Sequence, residues 1–264
     1  MYWLALSLIC AFALASSDAA AKRWMRSAGA REMVVVRLGL SGLLLTPWVL
    51  TFELPPLPLP FWGWLAVLMP LELIAMLLYM RAIRDHPLAL TVPYLAFTPV
   101  LVVITGWIVL GETVSGIGLL GILLVVSGSW LLNFEQASRL TPATLLAPLR
   151  AIVVNPGSRL ILITAAIYSL TSVGGKAAMA WMPPAQFGAF YFALLGALTL
   201  VMVAITKPSA LRVSRYGGLP IFVVAVFMAI MVVTHFMALA QVEAAYMIAV
   251  KRSSLLFGML YGAM

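Results

Sequence analysis

The chain is a succession of apolar stretches, each long enough to cross the hydrocarbon core of a bilayer. They cover about 2–21, 33–52, 61–82, 88–110, 114–134, 159–182, 186–206, 219–241 and 244–264. A helix rises about 1.5 Å per residue, so ~20 apolar residues span a core ~30 Å thick. Of the 264 residues, 64% are hydrophobic and 9% charged, against roughly 25% charged in soluble domains. Water cannot accommodate so much apolar surface at this chain length, whereas lipid can. The pattern predicts an all-α, polytopic transmembrane helical bundle with nine helices present.

The separators carry turn chemistry: Pro55-Pro56, Asp85-His86-Pro87, Gly111-Glu112, Asn155-Pro156-Gly157 and Pro183-Pro184. The first stretch is not a secretory signal. No Lys or Arg precedes it, and Lys22, Arg23 and Arg26 follow it, the reverse of the signal pattern. It reads as a retained span. Cys10, the only cysteine, lies within it as a small packing residue. A single cysteine and two histidines leave no intrachain disulfide and no metal site of the cysteine type.

The net charge is +8. Its carriers lie between apolar stretches rather than on one basic face, which excludes nucleic acid as the partner and points to anionic lipid headgroups of the bilayer. The connections after stretches one, three, five and seven hold Lys22, Arg23, Arg26, Arg31, Arg81, Arg84, Arg139, Arg150, Arg159, Lys207, Arg212 and Arg215. Those after stretches two, four, six and eight hold neither Lys nor Arg. Basic connections stay in the cytoplasm, so the N-terminus is expected outside. The longest connection, 135–158, reads either as a cytoplasmic linker or as a short surface helix begun by Thr141-Pro142.

A weak internal repeat runs through the chain. An offset of 154 aligns Leu8 with Leu162, Ala11 with Ala165, Ser17 with Thr171 and Lys22 with Lys176. An offset of 156 aligns Ala82 with Ala238, Ala89 with Ala245 and Gly106 with Gly262. Five spans per repeat is an odd number, so two copies have opposite orientations, the inverted-repeat plan of many secondary transporters.

The stretch Ala89–Asn133 resembles the end of an EamA-type repeat of the drug/metabolite transporter superfamily. The residues that carry the likeness are Pro99 in the fourth span, Gly111-Glu112 at its exit, and the glycine and leucine spacing that begins at Gly121. Ala245-Tyr246 through Lys251-Arg252-Ser253-Ser254 to Gly262 resembles the same region of a second repeat. The resemblance implies two inverted five-helix repeats, 1–134 and 159–264, joined by 135–158, with nine helices present of an expected ten. It also implies a secondary transporter, not an enzyme, that moves a small metabolite by alternating access, with efflux favoured and no cofactor. An organic anion, an amino acid or a drug-like compound fits as substrate, and the expected location is the inner membrane of a bacterium. A homodimer is compatible with such a protein. The competing classes are a membrane enzyme, for which no metalloprotease or paired-aspartate motif is present, and a non-transporting assembly or lipid-handling protein.

Glu72 is the sharpest candidate site residue. It sits mid-stretch between Leu71 and Leu73, two residues after Pro70. A charge at that depth costs at least ~2.5–3.5 kcal/mol, so such a residue faces a cavity or partner, or stays neutral and hydrogen-bonded. Lys251 and Arg252 lie roughly 10 Å into the last stretch at the helical rise. Arg252 can snorkel to the interface, while Lys251 either pairs with Glu72 or attracts an anionic group. Arg37 reads as an interface anchor, Asp18 and Lys22 as an i, i+4 pair, Lys176 as lacking an acidic partner, and His235 as a satisfied polar residue or a proton relay. Pro93 and Pro99 break the fourth span, and broken helices border transporter sites or simply kink. Tyr94 and Tyr246, with Trp107 and Tyr261, are candidates to stack on a ligand or to form the interfacial belt. Gly118, Gly121, Gly128, Gly258 and Gly262 read as close-packing positions. Reporter fusions after residues 29, 85, 140 and 210 are expected to report cytoplasm; a periplasmic signal at 29 and 85 would reverse the orientation.

Overall fold

The structure, a computed structural model, describes residues 2–86, 92–131 and 155–263. Among them every regular element is helical. Helix α1 spans Tyr2–Trp24 and α2 Ala30–Val49, the latter with a π-helical turn over Val35–Leu40. Helix α3 spans Leu59–Asp85. The fourth span begins as a 3-10 helix, Val92–Phe97, and continues as α4, Thr98–Leu110. Helix α5 is Gly116–Leu131. The second half holds α6 (Pro156–Ala178), α7 (Pro184–Thr206) and α8 (Gly218–Leu239), then α9 (Ala244–Lys251) and α10 (Ser254–Ala263) in place of one continuous ninth span. The surface helix considered around Thr141-Pro142 lies outside the described residues.

Among the described residues six helices are long and apolar enough to cross a membrane. The fourth and fifth spans are shorter apolar helices, over Tyr94–Leu110 and Gly116–Gly128. Their ends follow the local chemistry. Asn155 accepts a hydrogen bond from the Gly157 amide at 2.9 Å, and Pro156 takes the first helical position, where its missing N–H has no partner to lose. Gly111 adopts φ +68 and ends α4, so the Gly111 and Glu112 amides reach the carbonyls of Trp107 and Gly106. That geometry satisfies the last carbonyls of the helix and favours glycine. Pro99 stands in the first turn of α4, a position that tolerates proline, and marks the change from 3-10 to α geometry.

The largest contacts run between the halves: α1 packs on α8, α3 on α6, α2 on α7 and α4 on both α6 and α9. The outer faces of α5 and α10 are apolar and open, as Ile117 (86% exposed) and Leu260 (64%) illustrate, and this is the surface that lipid covers.

The closest approach is between α2 and α7. A Cβ on Gly42 would stand 2.2 Å from the Phe192 carbonyl oxygen, and one on Gly196 would stand 2.9 Å from the Gly42 Cα. Small residues let two backbones touch, which in lipid supplies packing that the hydrophobic effect cannot. Of the glycines expected in that role, Gly118 packs closely, with an added Cβ 2.2 Å from Tyr246, but among the described residues Gly121, Gly128, Gly258 and Gly262 have nothing within 4 Å of an added Cβ. Gly42→Ala is therefore expected to lower stability by about 1–3 kcal/mol or more through overpacking, while Gly121→Ala should be neutral or slightly stabilising. Thermal unfolding in detergent checks both; equal midpoints for the two variants would contradict the contact.

Candidate functional site

The two halves enclose a cavity to which every span but the fifth contributes. Leu14 comes from α1, Arg37 from α2, Glu72 and Tyr79 from α3, and Leu95 and Thr98 from the fourth span. Tyr168, Thr171 and Ser172 come from α6, Tyr191 from α7, His235 from α8, and Lys251 and Arg252 from the break in the ninth span. The volume is about 80 Å³. One water needs roughly 10–15 Å³ on that measure, so the cavity has room for several waters or a very small solute.

Local breaks in helical geometry aim these side chains inward. Arg37 belongs to the π-helical turn of α2, where the Ser41 hydroxyl donates to its backbone carbonyl. Such turns change which way a residue faces and recur at functional sites. Lys251 ends α9, and Arg252-Ser253 separates it from α10. Glu72 follows Pro70, which interrupts the hydrogen bonding inside α3.

The charges fall into two groups. Arg37, 1% exposed, is paired with Asp18, and the Tyr79 hydroxyl donates to the second carboxylate oxygen of Asp18 at 3.2 Å. Arg37 also reaches the Met228 sulfur at 3.3 Å and sits over the Tyr79 ring. Two sequence expectations are corrected here. Arg37 is an interior residue rather than an interface anchor, and Asp18 pairs with it rather than with Lys22, which is exposed. The pairing removes a buried charge that an i, i+4 contact at the surface would leave uncompensated.

The second group has no such partners. Lys251 Nζ lies 3.4 Å from His235 Nδ1 and, among the described residues, forms no ion pair. Arg252 is 5% exposed, and its Nε and Nη1 have no hydrogen-bond partner among the described residues. The cost of burial is not relieved by snorkelling; the side chain stays inside. Glu72 lines the same cavity wall as Thr171 and Lys251. The structure thus brings Glu72, Lys251, Arg252 and His235 to one cavity.

The other candidates sit elsewhere. Tyr94 and Pro99 are buried outside the lining, and only the backbone of Pro93 is described. The Tyr246 hydroxyl accepts from the Ser115 amide at 2.9 Å and so ties α9 to the start of α5. Tyr168, Tyr191, Thr171 and Ser172 were not singled out from sequence. Their one signal was the internal repeat, in which Tyr168 aligns with Leu14 and Tyr191 with Arg37 at the 154 offset.

Two polar clusters close the bundle at its ends. Lys176, expected to lack an acidic partner, pairs with Glu112 at 2.5 Å and donates to the Val242 carbonyl at 2.6 Å. The other Glu112 oxygen accepts from the Ala244 amide at 2.8 Å, at the start of α9. Gly111-Glu112 therefore joins the exit of the fourth span to α6 and α9. In the second cluster Glu32 of α2 binds Arg215 and the Tyr216 hydroxyl, in the connection from α7 to α8, both at 2.5 Å. Burial and the hydrogen bond to Glu32 push the Tyr216 hydroxyl above its usual range.

Asp18→Ala is expected to destabilise the protein by about 3–5 kcal/mol, the cost of leaving a buried charge unpaired, and Lys22→Ala by less than ~0.5 kcal/mol. Denaturation in mild detergent checks the difference; equal effects would contradict the Asp18–Arg37 assignment.

Residues 1–134 match the EamA-like transporter family. Comparison with curated proteins gives no match.

Proposed function

The chain belongs to the EamA-like transporter family, and from that premise we propose that it exports a small metabolite by proton-coupled alternating access, with the cavity around Glu72 as its substrate and proton site. The single observation that carries this reading is the meeting of Glu72, Lys251, Arg252 and His235 in one cavity between the two halves. Ionisable residues inside a membrane mark substrate pathways and proton relays because any other use of them is costly.

The internal repeat supports the same reading. Helices α1 and α6 coincide at both ends under the 154 offset, Tyr2 with Pro156 and Trp24 with Ala178. The glycines of the closest contact, Gly42 and Gly196, are separated by the same offset. Under the 156 offset Glu72 corresponds to Met228, Tyr79 to His235 and Leu95 to Lys251, and all six line the cavity. Exchanging each helix for its counterpart also maps the α1–α8 contact onto the α6–α3 contact. A site on the axis between two inverted repeats opens to one side or the other as the repeats rock, without a nucleotide.

In this mechanism Glu72 carries the proton. Desolvation favours the neutral acid, and a nearby cation favours the carboxylate. Glu72 lies between those influences: apolar α3 around it, Tyr168 and Thr171 on α6, Tyr191 on α7 and Lys251 on α9. A change in the separation of Glu72 from Lys251 as the halves move would release or take up a proton. Thr98 and Leu95, at the junction of 3-10 and α geometry, form the wall most easily displaced, since the 3-10 segment has poorer hydrogen bonds than a regular helix. We assign the protein to the inner membrane of a bacterium with its N-terminus outside, on the asymmetry of its basic connections.

The test is transport in proteoliposomes under an imposed pH gradient, with a panel of metabolites. Glu72→Gln should lose gradient-driven transport by about 100-fold, a loss typical of removing a positioned acid or base, while inserting and unfolding as the parent does. Unchanged transport and pH dependence in that variant would overturn the proposal.

A further inference from the structure

We propose that the break in the ninth span is an anion-binding subsite, in which Arg252 and Lys251 hold the carboxylate of a small organic solute. The inference rests on the reading of the cavity as a substrate site and adds the chemical class of what enters it.

Charge balance carries the argument. Within the cavity Arg37 is neutralised by Asp18, with Tyr79 holding the same carboxylate. Glu72 remains as one acid, against two cations, Lys251 and Arg252. Glu72 lines the cavity together with Thr171 and Lys251. Among the described residues it makes no ion pair with either cation. The Arg252 guanidinium keeps two nitrogens, Nε and Nη1, buried and without a partner among the described residues. A buried donor that nothing satisfies costs several kcal/mol in an apolar medium, more when it is charged, and a well-packed fold retains it only where something else supplies the acceptor. His235, whose Nδ1 lies 3.4 Å from Lys251 Nζ, offers one ring nitrogen and no negative charge of its own. Water relieves part of the cost in a cavity this size, but it does not supply the missing charge.

The surroundings distinguish a carboxylate from inorganic phosphate. Phe192 and Phe236, with Tyr168 and Tyr191, give the cavity an aromatic wall. A solute with one planar anionic group and an apolar body meets both surfaces, the cations at one end and the rings at the other. A fully hydrated phosphate leaves the rings without contact and must be stripped of more water. The repeat adds an independent constraint. The counterpart of Lys251 in the first half is Leu95, and that of Arg252 is Ala96. The cationic pair therefore exists on one side of the pseudo-twofold only, so an anion can bind in one orientation only.

The experiment is equilibrium binding to the purified full-length chain in nanodiscs, without any gradient, so that it is independent of transport. The probes are benzoate, its neutral counterpart benzamide, and inorganic phosphate. Benzoate should bind at least about 10-fold more tightly than either of the others, in line with loss of one charge-assisted hydrogen bond. Arg252→Gln should weaken benzoate binding about 10-fold or more and Lys251→Gln by a similar factor. Should Arg252→Gln fail to fold, the comparison of benzoate with benzamide on the unaltered chain decides the matter. Benzamide binding as tightly as benzoate, phosphate binding more tightly than benzoate, no binding of benzoate, or equal benzoate affinity in the Gln variants would each overturn the subsite. Benzoate binding that depends on Arg252, together with gradient-driven transport that is indifferent to Glu72, would uphold the subsite and reject the proton-coupled mechanism.

Discussion

A charge inside a bilayer must be answered from within the protein, because lipid offers neither hydration nor counterion. That constraint orders this structure. Arg37 is paired with Asp18, whose second oxygen accepts from Tyr79, and Lys176 with Glu112 and the Val242 carbonyl. The first pair joins two consecutive helices, and the second joins helices distant in sequence. The compensation of charge and the assembly of the bundle are therefore one event: Asp18 and Arg37 fix α1 against α2, and Glu112 fixes α4 against α6 and α9. Where hydrophobic burial supplies little specificity, because lipid tails are as apolar as leucine, polar pairs and close glycine contacts such as Gly42 with Gly196 determine which helices meet.

The same constraint separates structure from function. The paired charges hold the fold. Arg252 is buried and Lys251 half-buried at the break between α9 and α10, without ion partners among the described residues, and Glu72 lines the same small cavity. Charges left without an internal partner are the ones available to a solute or a proton. The local geometry agrees, since Arg37 sits in a π-helical turn, the fourth span begins as a 3-10 helix, and the ninth is broken at the cationic pair. These irregular segments are found where the backbone lines the cavity or borders it, which is where a membrane protein can tolerate them.

Much of this was legible in the sequence. Apolar stretches of bilayer length gave the helices to within a few residues, as with α1 ending at Trp24 rather than at residue 21. Glu72 and Lys251 stood out because a lone charge in an apolar run has few acceptable surroundings, and both line the cavity. What sequence could not resolve was partner choice. Asp18 has Lys22 one turn away, and only the packing of α2 on the bundle shows that Arg37 is the partner. Lys176 and Glu112 are far apart in the chain, and nothing local links them. Glycine spacing was equally ambiguous: Gly258 and Gly262 have the spacing of a contact motif yet face open space, while Gly42 makes the closest contact with no motif around it. Spacing tells which residues share a helix face, but not what that face meets.

The central claim is that the cavity between the halves is reached alternately from the two sides of the membrane. Cys10 is the only native cysteine and is buried, so Cys10→Ser gives a simple background. On that background Thr171→Cys places a thiol in the cavity wall. Its reaction with a membrane-impermeant thiol reagent, added to one face at a time in vesicles of known orientation, is the most direct measurement. Labelling from either face is expected, with benzoate slowing both reactions. Labelling from one face alone under every condition, or from neither, would contradict alternating access at this site.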